Sequence, residues 1–205
     1  MTGKRMIASD ETKINRICSD GILHLWLRPS NVLMERQVQP TQKYDGGCIM
    51  VWGCFTWAGV GKLALVRGRM DSQQYIEILE QNLLPTMDAY MLLPDAPKKE
   101  DLIFQQDNDS KHRSKLTKQW FDDKNLRPMD WPACSPDLNP IEHLWAILKR
   151  KMGTYREPPK GVHELWARVQ TEWVKIEREV CQRLIESMPM RVKAVIRAKG
   201  GPTKY

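Results

Sequence analysis

Residues 135–145 read Ser-Pro-Asp-Leu-Asn-Pro-Ile-Glu-His-Leu-Trp, a proline-punctuated loop that turns into a helix. Apolar residues then recur at helical spacing as far as Met152, which predicts an amphipathic helix. If Asn139 is the N-cap, Pro140 takes the first helical position and Glu142 the third, where a capping acid belongs. From the residues alone, capping is the favoured role of Glu142.

The segments upstream of this loop predict a sheet. A short apolar run ends in acid at Asp10, and another, residues 102–107, ends in acid at Asp107. Between them lie strand patterns over residues 48–55 and 62–66, and an Asp-Gly turn at residues 20–21 indicates a hairpin. Consecutive strands with short turns imply an antiparallel meander.

The rest of the chain predicts helices and one further strand. Helical spacing begins at the N-cap Asp71 and lasts until Pro85, and it returns in three later segments. These are residues 111–123, 162–176 and 190–198. A fifth short strand is predicted within residues 126–131. The class is therefore α/β, with a mixed five-stranded sheet flanked by helices in a single domain, residues 1–205.

The positive charge of the chain is concentrated towards its C-terminal end. The 205 residues carry a formal net charge of +7, and residues 1–140 contain 18 Lys and Arg against 18 Asp and Glu. Residues 141–205 contain 14 against seven, so they hold the whole excess. Such a basic segment beside a neutral body suggests a polyanionic partner such as nucleic acid, or else solvated helix faces.

Composition also excludes several classes of protein. Charged residues make up 28% and hydrophobic residues 41%, as in an ordinary folded domain, and no apolar run approaches the length of a membrane span. We therefore expect no membrane partner. The five cysteines are scattered and form no Cys-x-x-Cys pair, which argues against a zinc site or a disulfide framework and favours a reducing compartment.

Three carboxylates are candidates for chemistry. Acids at the carboxyl ends of neighbouring strands converge on the crevice where α/β sheets bind ligands, and Glu142 would join them if its helix points there. Hard oxygen ligands suit Mg²⁺ or Mn²⁺, and two such ions can hold both reacting oxygens of a phosphodiester. The alternative for Asp10 and Asp107 is ordinary turn chemistry, and spacing alone does not decide between the two roles.

Two longer motifs resemble the catalytic core of Tc/mariner superfamily transposases. They are residues 104–112, Phe-Gln-Gln-Asp-Asn-Asp-Ser-Lys-His, and residues 131–145 around the loop quoted first. Between Asp107 and Glu142 lie 34 residues, as in the Tc branch of that superfamily. The strand around Asp10, residues 46–55 and the C-terminal tail are similar to the same family, so the resemblance runs from end to end.

The resemblance implies a fold and a set of roles. It implies an RNase H-like fold in which Asp10, Asp107 and Glu142 are the catalytic Asp-Asp-Glu triad and the metal ligands, with two Mg²⁺ or Mn²⁺ ions. Relatives hydrolyse the phosphodiester at a transposon end and join the freed 3′-hydroxyl to a TA target. A nuclear location follows from that activity, although Lys149-Arg150-Lys151 is too short to be a clear import signal.

Residues beside the triad have two interpretations each. Asn108 and His112 are candidates to orient a phosphate or a water near the metals, or else they serve loop hydrogen bonding, with Asp109 or Ser110 capping the next helix. Glu11 would face away from Asp10 on a strand, as a structural or solvent-facing acid. Ser110 and Cys134 depart from the residues usual in the family, where Pro and Gln stand, and this puts the loop geometry in question.

The resemblance also sets the expected domain plan and partners. Relatives carry helix-turn-helix modules before the first catalytic Asp, and only nine residues precede Asp10 here, so these modules are expected to be absent. The plan is a core of about residues 1–152 with a basic helical extension, residues 153–205. Expected partners are DNA, bound mainly through its backbone, and a second copy or a full-length transposase.

Two alternatives to this function are carried forward. The first is a truncated or co-opted remnant that binds DNA or a transposase partner without catalysis, suggested by the short front end. The second is an RNase H-type nuclease acting on RNA–DNA hybrids, which shares the fold and metals. It ranks lower because the motifs match the transposases.

Overall fold

The computed structural model describes residues 2–16, 47–132, 135–201 and 203–204. Four strands form one sheet in the order β3-β2-β1-β4: β1 (Met6–Asn15), β2 (Cys48–Thr56), β3 (Gly59–Val66) and β4 (Ile103–Gln105). The first three pair antiparallel in sequence order, whereas β4 lies parallel to β1. The mixed sheet with an antiparallel meander is therefore confirmed. The predicted hairpin at residues 20–21 lies outside the described residues.

The fifth strand differs from the prediction. Within residues 126–131, the structure has a single parallel bridge between Phe104 and Pro128 instead of a strand. The amide of Met129 donates to the Phe104 carbonyl at 2.7 Å, so the segment does lie beside β4. A proline has no N–H to donate to a ladder, which explains why the pairing does not extend into a strand.

Seven α-helices flank the sheet within the described residues, and none of them has the length and apolar character needed to cross a membrane. In chain order they are α1 (Ser72–Ile78), α2 (Leu84–Met91), α3 (Lys115–Asp123), α4 (Ile141–Met152), α5 (Val162–Val174), α6 (Arg178–Glu186) and α7 (Met188–Arg197). The side chain of Asp71 caps α1 as predicted, accepting from the Gln74 amide at 2.9 Å.

The helix predicted to stop at Pro85 continues beyond it. A π-helical turn, Leu79–Leu83, joins α1 to α2, and Pro85 lies in the first turn of α2. A proline is tolerated in a first turn because its missing N–H needs no partner there. The sequence pattern also missed α6, whose buried residues are only Cys181 and Ile185.

Alternation along β1 divides the core into two layers. Met6, Ala8 and Ile14 belong to the cluster that includes α4, α5 and α6, whereas Ile7 belongs to the cluster that includes α1 and α3. The indoles of Trp145 and Trp173 stack at 5.0 Å between ring centroids in the first layer. The core role predicted for these two tryptophans is confirmed.

Candidate active site

Asp10 lies on β1 at the point where the neighbouring strand β4 ends. The pairing of β1 with β2 continues to Asn15, so Asp10 is inside a strand and does not end one, in contrast to the sequence prediction. The parallel pairing with β4, however, stops at Ala8 and Gln105. Asp10 is two residues beyond that last pair on one strand, and Asp107 is two residues beyond it on the other. The two acids therefore meet at the same edge.

The carboxylate of Asp10 is held from two sides. Its Oδ1 accepts from the Glu11 amide at 2.7 Å, and its Oδ2 accepts from Nδ2 of Asn139 at 2.8 Å. Burial, together with the negative charges of Glu11, Glu142 and Asp107, raises the pKa of Asp10 to about 7. The protein thus crowds negative charge around this one carboxyl group.

Glu142 reaches the same place from the first turn of α4. Its side chain is exposed, yet partial desolvation raises the pKa of its carboxyl group, while Lys149 and a hydrogen bond with Asp10 act in the opposite direction. Each of the two carboxyl groups influences the pKa of the other, which places them near one another. Asp10 and Glu142 are thereby brought together across the loop and the sheet.

The capping role predicted for Asn139 is wrong in this structure. Pro140 occupies the N-cap position of α4 and makes no side-chain cap. The Asn139 side chain, only 3% exposed, points instead to Asp10, and its Oδ1 is buried without a hydrogen-bond partner in the described chain. A tertiary contact with a buried carboxylate has displaced a local capping bond, so Glu142 has no capping box to complete.

Asp107 follows β4 and is half-exposed. Its Oδ1 accepts from the Asp109 amide at 3.0 Å and lies 2.6 Å from Nδ1 of His112. The hydrogen bond from His112 lowers the pKa of Asp107, and the amide of Asp109 adds to this effect. Asp107 is thus ionised and oriented, in contrast to Asp10 on the neighbouring strand.

His112 joins Asp107 to Glu11. The imidazole is 4% exposed, its Nε2 lies 3.2 Å from Oε1 of Glu11, and its ring lies 4.1 Å from that of Tyr75. Burial alone would lower the pKa of His112, but the hydrogen bonds to Asp107 and Glu11 outweigh it and raise the pKa to about 9. His112 therefore carries a positive charge between two carboxylates.

The other neighbours of the triad have structural roles. The Glu11 side chain is 12% exposed and bonded to His112, so the solvent-facing alternative is wrong. Nδ2 of Asn108 donates to the Trp131 carbonyl at 2.5 Å, which is the loop role. The cap of α3 is Ser114 rather than Asp109 or Ser110, because the helix begins later than predicted, at Lys115.

The three acids lie at one edge without forming a closed ligand set. Among the residues that the structure describes, no group of three or more His, Cys, Asp or Glu side chains is arranged to hold a metal ion. Hydrogen bonds from Glu11 and Asn139 occupy both oxygens of Asp10, and His112 occupies one oxygen of Asp107. The carboxylates converge, but hydrogen-bond donors of the protein now occupy the oxygens that a cation would bind.

Comparison with known proteins places the chain in a family. A family model described as DDE superfamily endonuclease matches residues 34–165. The chain is also 42% identical over 201 residues to the Tcb1 transposase of Caenorhabditis briggsae, covering 97% of this chain and 70% of that relative. The chain belongs to the DDE transposases of the Tc/mariner superfamily. It is a transposase catalytic domain, as the motifs predict.

Solved structures show the fold of this transposase domain. A Mos1 transposase paired-end complex with the left transposon end matches 98% of the chain with a TM-score of 0.79 at 17% identity. A Mos1 mariner paired-end complex with Mn matches equally well, with a TM-score of 0.79 at 16% identity. The transposase domain therefore has the RNase H-like fold of these structures, and it spans 57% of the length of either Mos1 chain.

Sequence reasoning missed two contributors to the site of this transposase domain. Asn139 fits the pattern of a helix cap, although its place three residues before a candidate catalytic acid was a usable signal. Arg191 is unremarkable within the sequence of the C-terminal helix, yet its guanidinium Nη2 lies 3.0 Å from Nδ1 of His143, the residue after Glu142. The sequence offered no signal for that buried contact.

Proposed function

We propose that this transposase domain cuts and joins DNA phosphodiesters at a site built from Asp10, Asp107 and Glu142. The observation that carries the proposal is the hydrogen bond from Asn139 to Asp10, which brings the segment leading into Glu142 onto β1, beside the end of the strand that leads to Asp107. Grouping carboxylates around the partly buried Asp10 costs free energy, and charged groups perturbed in this way are concentrated at functional sites.

The chemistry of the three acids fits a divalent cation, which would take the place of the hydrogen bonds that Asp10 and Asp107 now accept. Burial and, after it, repulsion from the neighbouring carboxylates raise the pKa of Asp10, and a divalent cation would relieve the repulsion. Carboxylate oxygens are the ligands that Mg²⁺ and Mn²⁺ prefer, and the unpartnered Oδ1 of Asn139 adds the polar surroundings that a hydrated cation needs. We propose that Asp10, Asp107 and Glu142 hold two such ions. When bound, the ions lower the pKa of the attacking water or hydroxyl and neutralise phosphate charge.

The chain's own residues prepare the acids for this task. Asn139 fixes the plane of the Asp10 carboxylate through its hydrogen bond to Oδ2. The charged His112 keeps Asp107 ionised and turned towards the edge, and Glu11 holds the other ring nitrogen. Tyr75, fully buried, supports the imidazole through its ring and donates to Gln106 at 2.5 Å. Each support also limits the freedom of the acid it contacts.

DNA is the proposed substrate, bound chiefly by its phosphates. The last turn of α4 carries Lys149, Arg150 and Lys151. Desolvation raises the pKa of Glu142, and Lys149 is near enough for its charge to oppose that shift. A duplex held there would run past the acids without any base being read. The transposon ends, the TA target, the second copy or full-length transposase partner, and the nuclear location predicted above remain proposals that follow from this activity.

The catalytic function is tested on supercoiled plasmid DNA with Mg²⁺ or Mn²⁺. The wild-type domain should convert the plasmid to open circles, and Glu142→Gln should abolish that conversion while retaining the same amount of DNA on a filter. Glu164→Gln is a matched control, because Glu164 is also an acid in the first turn of a helix, α5, but binds Lys160 and Arg168 on the surface. Equal nicking by wild type and Glu142→Gln would overturn the proposal and favour the non-catalytic remnant.

A further inference from the structure

Arg191 in α7 is a buried cation. Its side chain is 1% exposed, although it belongs to a basic segment whose other cations, such as Lys193 and Arg197, are exposed. Its Nε donates to Oγ of Ser187 at 2.8 Å, its Nη1 donates to the Asp137 carbonyl at 2.9 Å, and its Nη2 lies 3.0 Å from Nδ1 of His143. The planar guanidinium thus serves three acceptors at once.

Two of these acceptors belong to residues that flank Asn139 and Glu142 in the sequence. Asp137 lies two residues before Asn139, and His143 is the residue directly after Glu142. The guanidinium therefore ties both ends of the segment 137–143 to one rigid point on α7. A second bond from the same end of the chain supports this, because the Thr203 amide donates to Oδ2 of Asp137 at 2.7 Å.

The contacts of Arg191 constrain the loop more than they stabilise the fold as a whole. Burying a guanidinium costs free energy unless its donors are matched, and a hydrophobic side chain of similar size would ordinarily fill the same space with less cost. A fork of fixed donors, however, sets the positions of its acceptors more closely than apolar packing does. The loop that it fixes presents Asn139 to Asp10 at 2.8 Å and leads into Glu142.

We propose that Arg191 is a positioning residue for the active site, acting through Asp137 and His143 to hold segment 137–143 against Asp10. Through Arg191, α7 helps to hold the acids of the proposed site in position. The inference rests on the proposed function for the metal that the acids would hold. The position of the loop itself is open to a separate measurement.

The test compares Arg191→Met and Arg191→Lys with Lys193→Met in the full chain. Lys193→Met removes the same charge from the same helix at an exposed position. Amide hydrogen exchange reports on residues 137–143, and calorimetric titration with Mn²⁺ alone reports on the acids. In Arg191→Met we expect the amides of residues 137–143 to exchange faster, while the exchange rates of strands β1 and β2 stay unchanged. We also expect this variant to bind Mn²⁺ roughly tenfold more weakly, as when a metal ligand loses its supporting hydrogen bond. Arg191→Lys should lie between, and Lys193→Met should match wild type in both.

Wild-type exchange in segment 137–143 of Arg191→Met would overturn the inference, whatever the melting temperature of that variant. If Arg191→Met does not fold, Arg191→Lys decides by the same comparison, because it keeps the charge and loses the fork. Failure of the wild-type protein to bind Mn²⁺ would count against the proposed function. In that case the exchange comparison still decides the role of Arg191.

Discussion

The side-chain amide of Asn139 donates a 2.8 Å hydrogen bond to Oδ2 of Asp10 across 129 positions of sequence. This bond joins the loop before α4 to the middle of β1. It explains why a residue placed for helix capping makes no cap, and why Glu142, three residues later, reaches Asp10. One side-chain amide therefore helps to bring together the acids of the proposed active site.

Asn139→Ala should impair the site more than the fold. The Asp10 carboxylate would lose its oriented donor, and supporting hydrogen bonds of this kind are worth roughly 10- to 100-fold in metal affinity or activity. Plasmid nicking at fixed Mn²⁺ measures the loss. Asn82→Ala is the control, because the Asn82 side-chain amide donates to the Ile78 carbonyl at 3.0 Å, a local bond within its own helical segment. An Asn139→Ala variant as active as wild type would show that Asp10 needs no such support.

His112→Phe should lower activity and also stability. A phenyl ring can keep the contact with Tyr75, but it leaves Asp107 and Glu11 without the charged partner that lies between them. A hydrogen bond to a charged group contributes about 1.5–3 kcal/mol, and urea unfolding will measure the loss. Glu11→Gln tests the other side of the imidazole. Its effect on activity and stability should be smaller than that of His112→Phe, because Asp107 keeps its hydrogen bond to His112. Unchanged nicking in His112→Phe would contradict a supporting role.

Gly53→Ala should destabilise the domain. A Cβ on Gly53 would lie 2.7 Å from Cη2 of Trp145 and 2.9 Å from Cδ1 of Leu63, in the layer between the sheet and α4. Overpacking of this kind costs about 1–3 kcal/mol of unfolding free energy. At Gly153 the nearest atom is the Arg150 carbonyl oxygen at 3.4 Å, so Gly153→Ala is the control and should be near neutral. Equal stability of the two variants would refute the packing described for Trp145.

Arg150→Gln should weaken DNA retention without changing the response to Mn²⁺. Arg150 is exposed in the last turn of α4. A cation that neutralises one phosphate contributes about one unit to the slope of log affinity against log salt, so the variant should show a slope shallower by about that amount. Filter retention over a series of salt concentrations gives the slope. Lys118→Gln removes an exposed charge from α3, in the neutral part of the chain, and serves as the comparison. Weaker retention by Lys118→Gln than by Arg150→Gln would move the proposed DNA path to the other face.

The sequence predicted those parts of the molecule that local pattern determines. Periodicity located β2, α4 and α5 and the core role of Trp145, and the spacing of acids after apolar runs indicated the edge at which Asp107 lies. Local sequence patterns did not predict the contacts between distant segments. The bond from Asn139 to Asp10 competes with a local cap, and only the folded chain shows that the distant acceptor prevails.

Proline accounts for two further differences between the sequence prediction and the fold. Pro85 signals a helix end, yet the π-helical turn before it places it where a missing N–H is harmless. Pro128 lies within a predicted strand, although a residue without a donor supports only one bridge beside β4. Burial of Arg191 depends on how α7 packs on the loop, and no local pattern marks it.

Divalent cations held jointly by Asp10, Asp107 and Glu142 are the core of the proposed chemistry. Crystals of the domain grown with Mn²⁺ and measured at the manganese absorption edge test this most directly, with Glu142→Gln crystals as the comparison. We expect anomalous peaks bounded by all three carboxylates in the wild type, and their loss or weakening in Glu142→Gln. Ordered side chains with no peak between them, or a peak of equal height in both proteins, would contradict it.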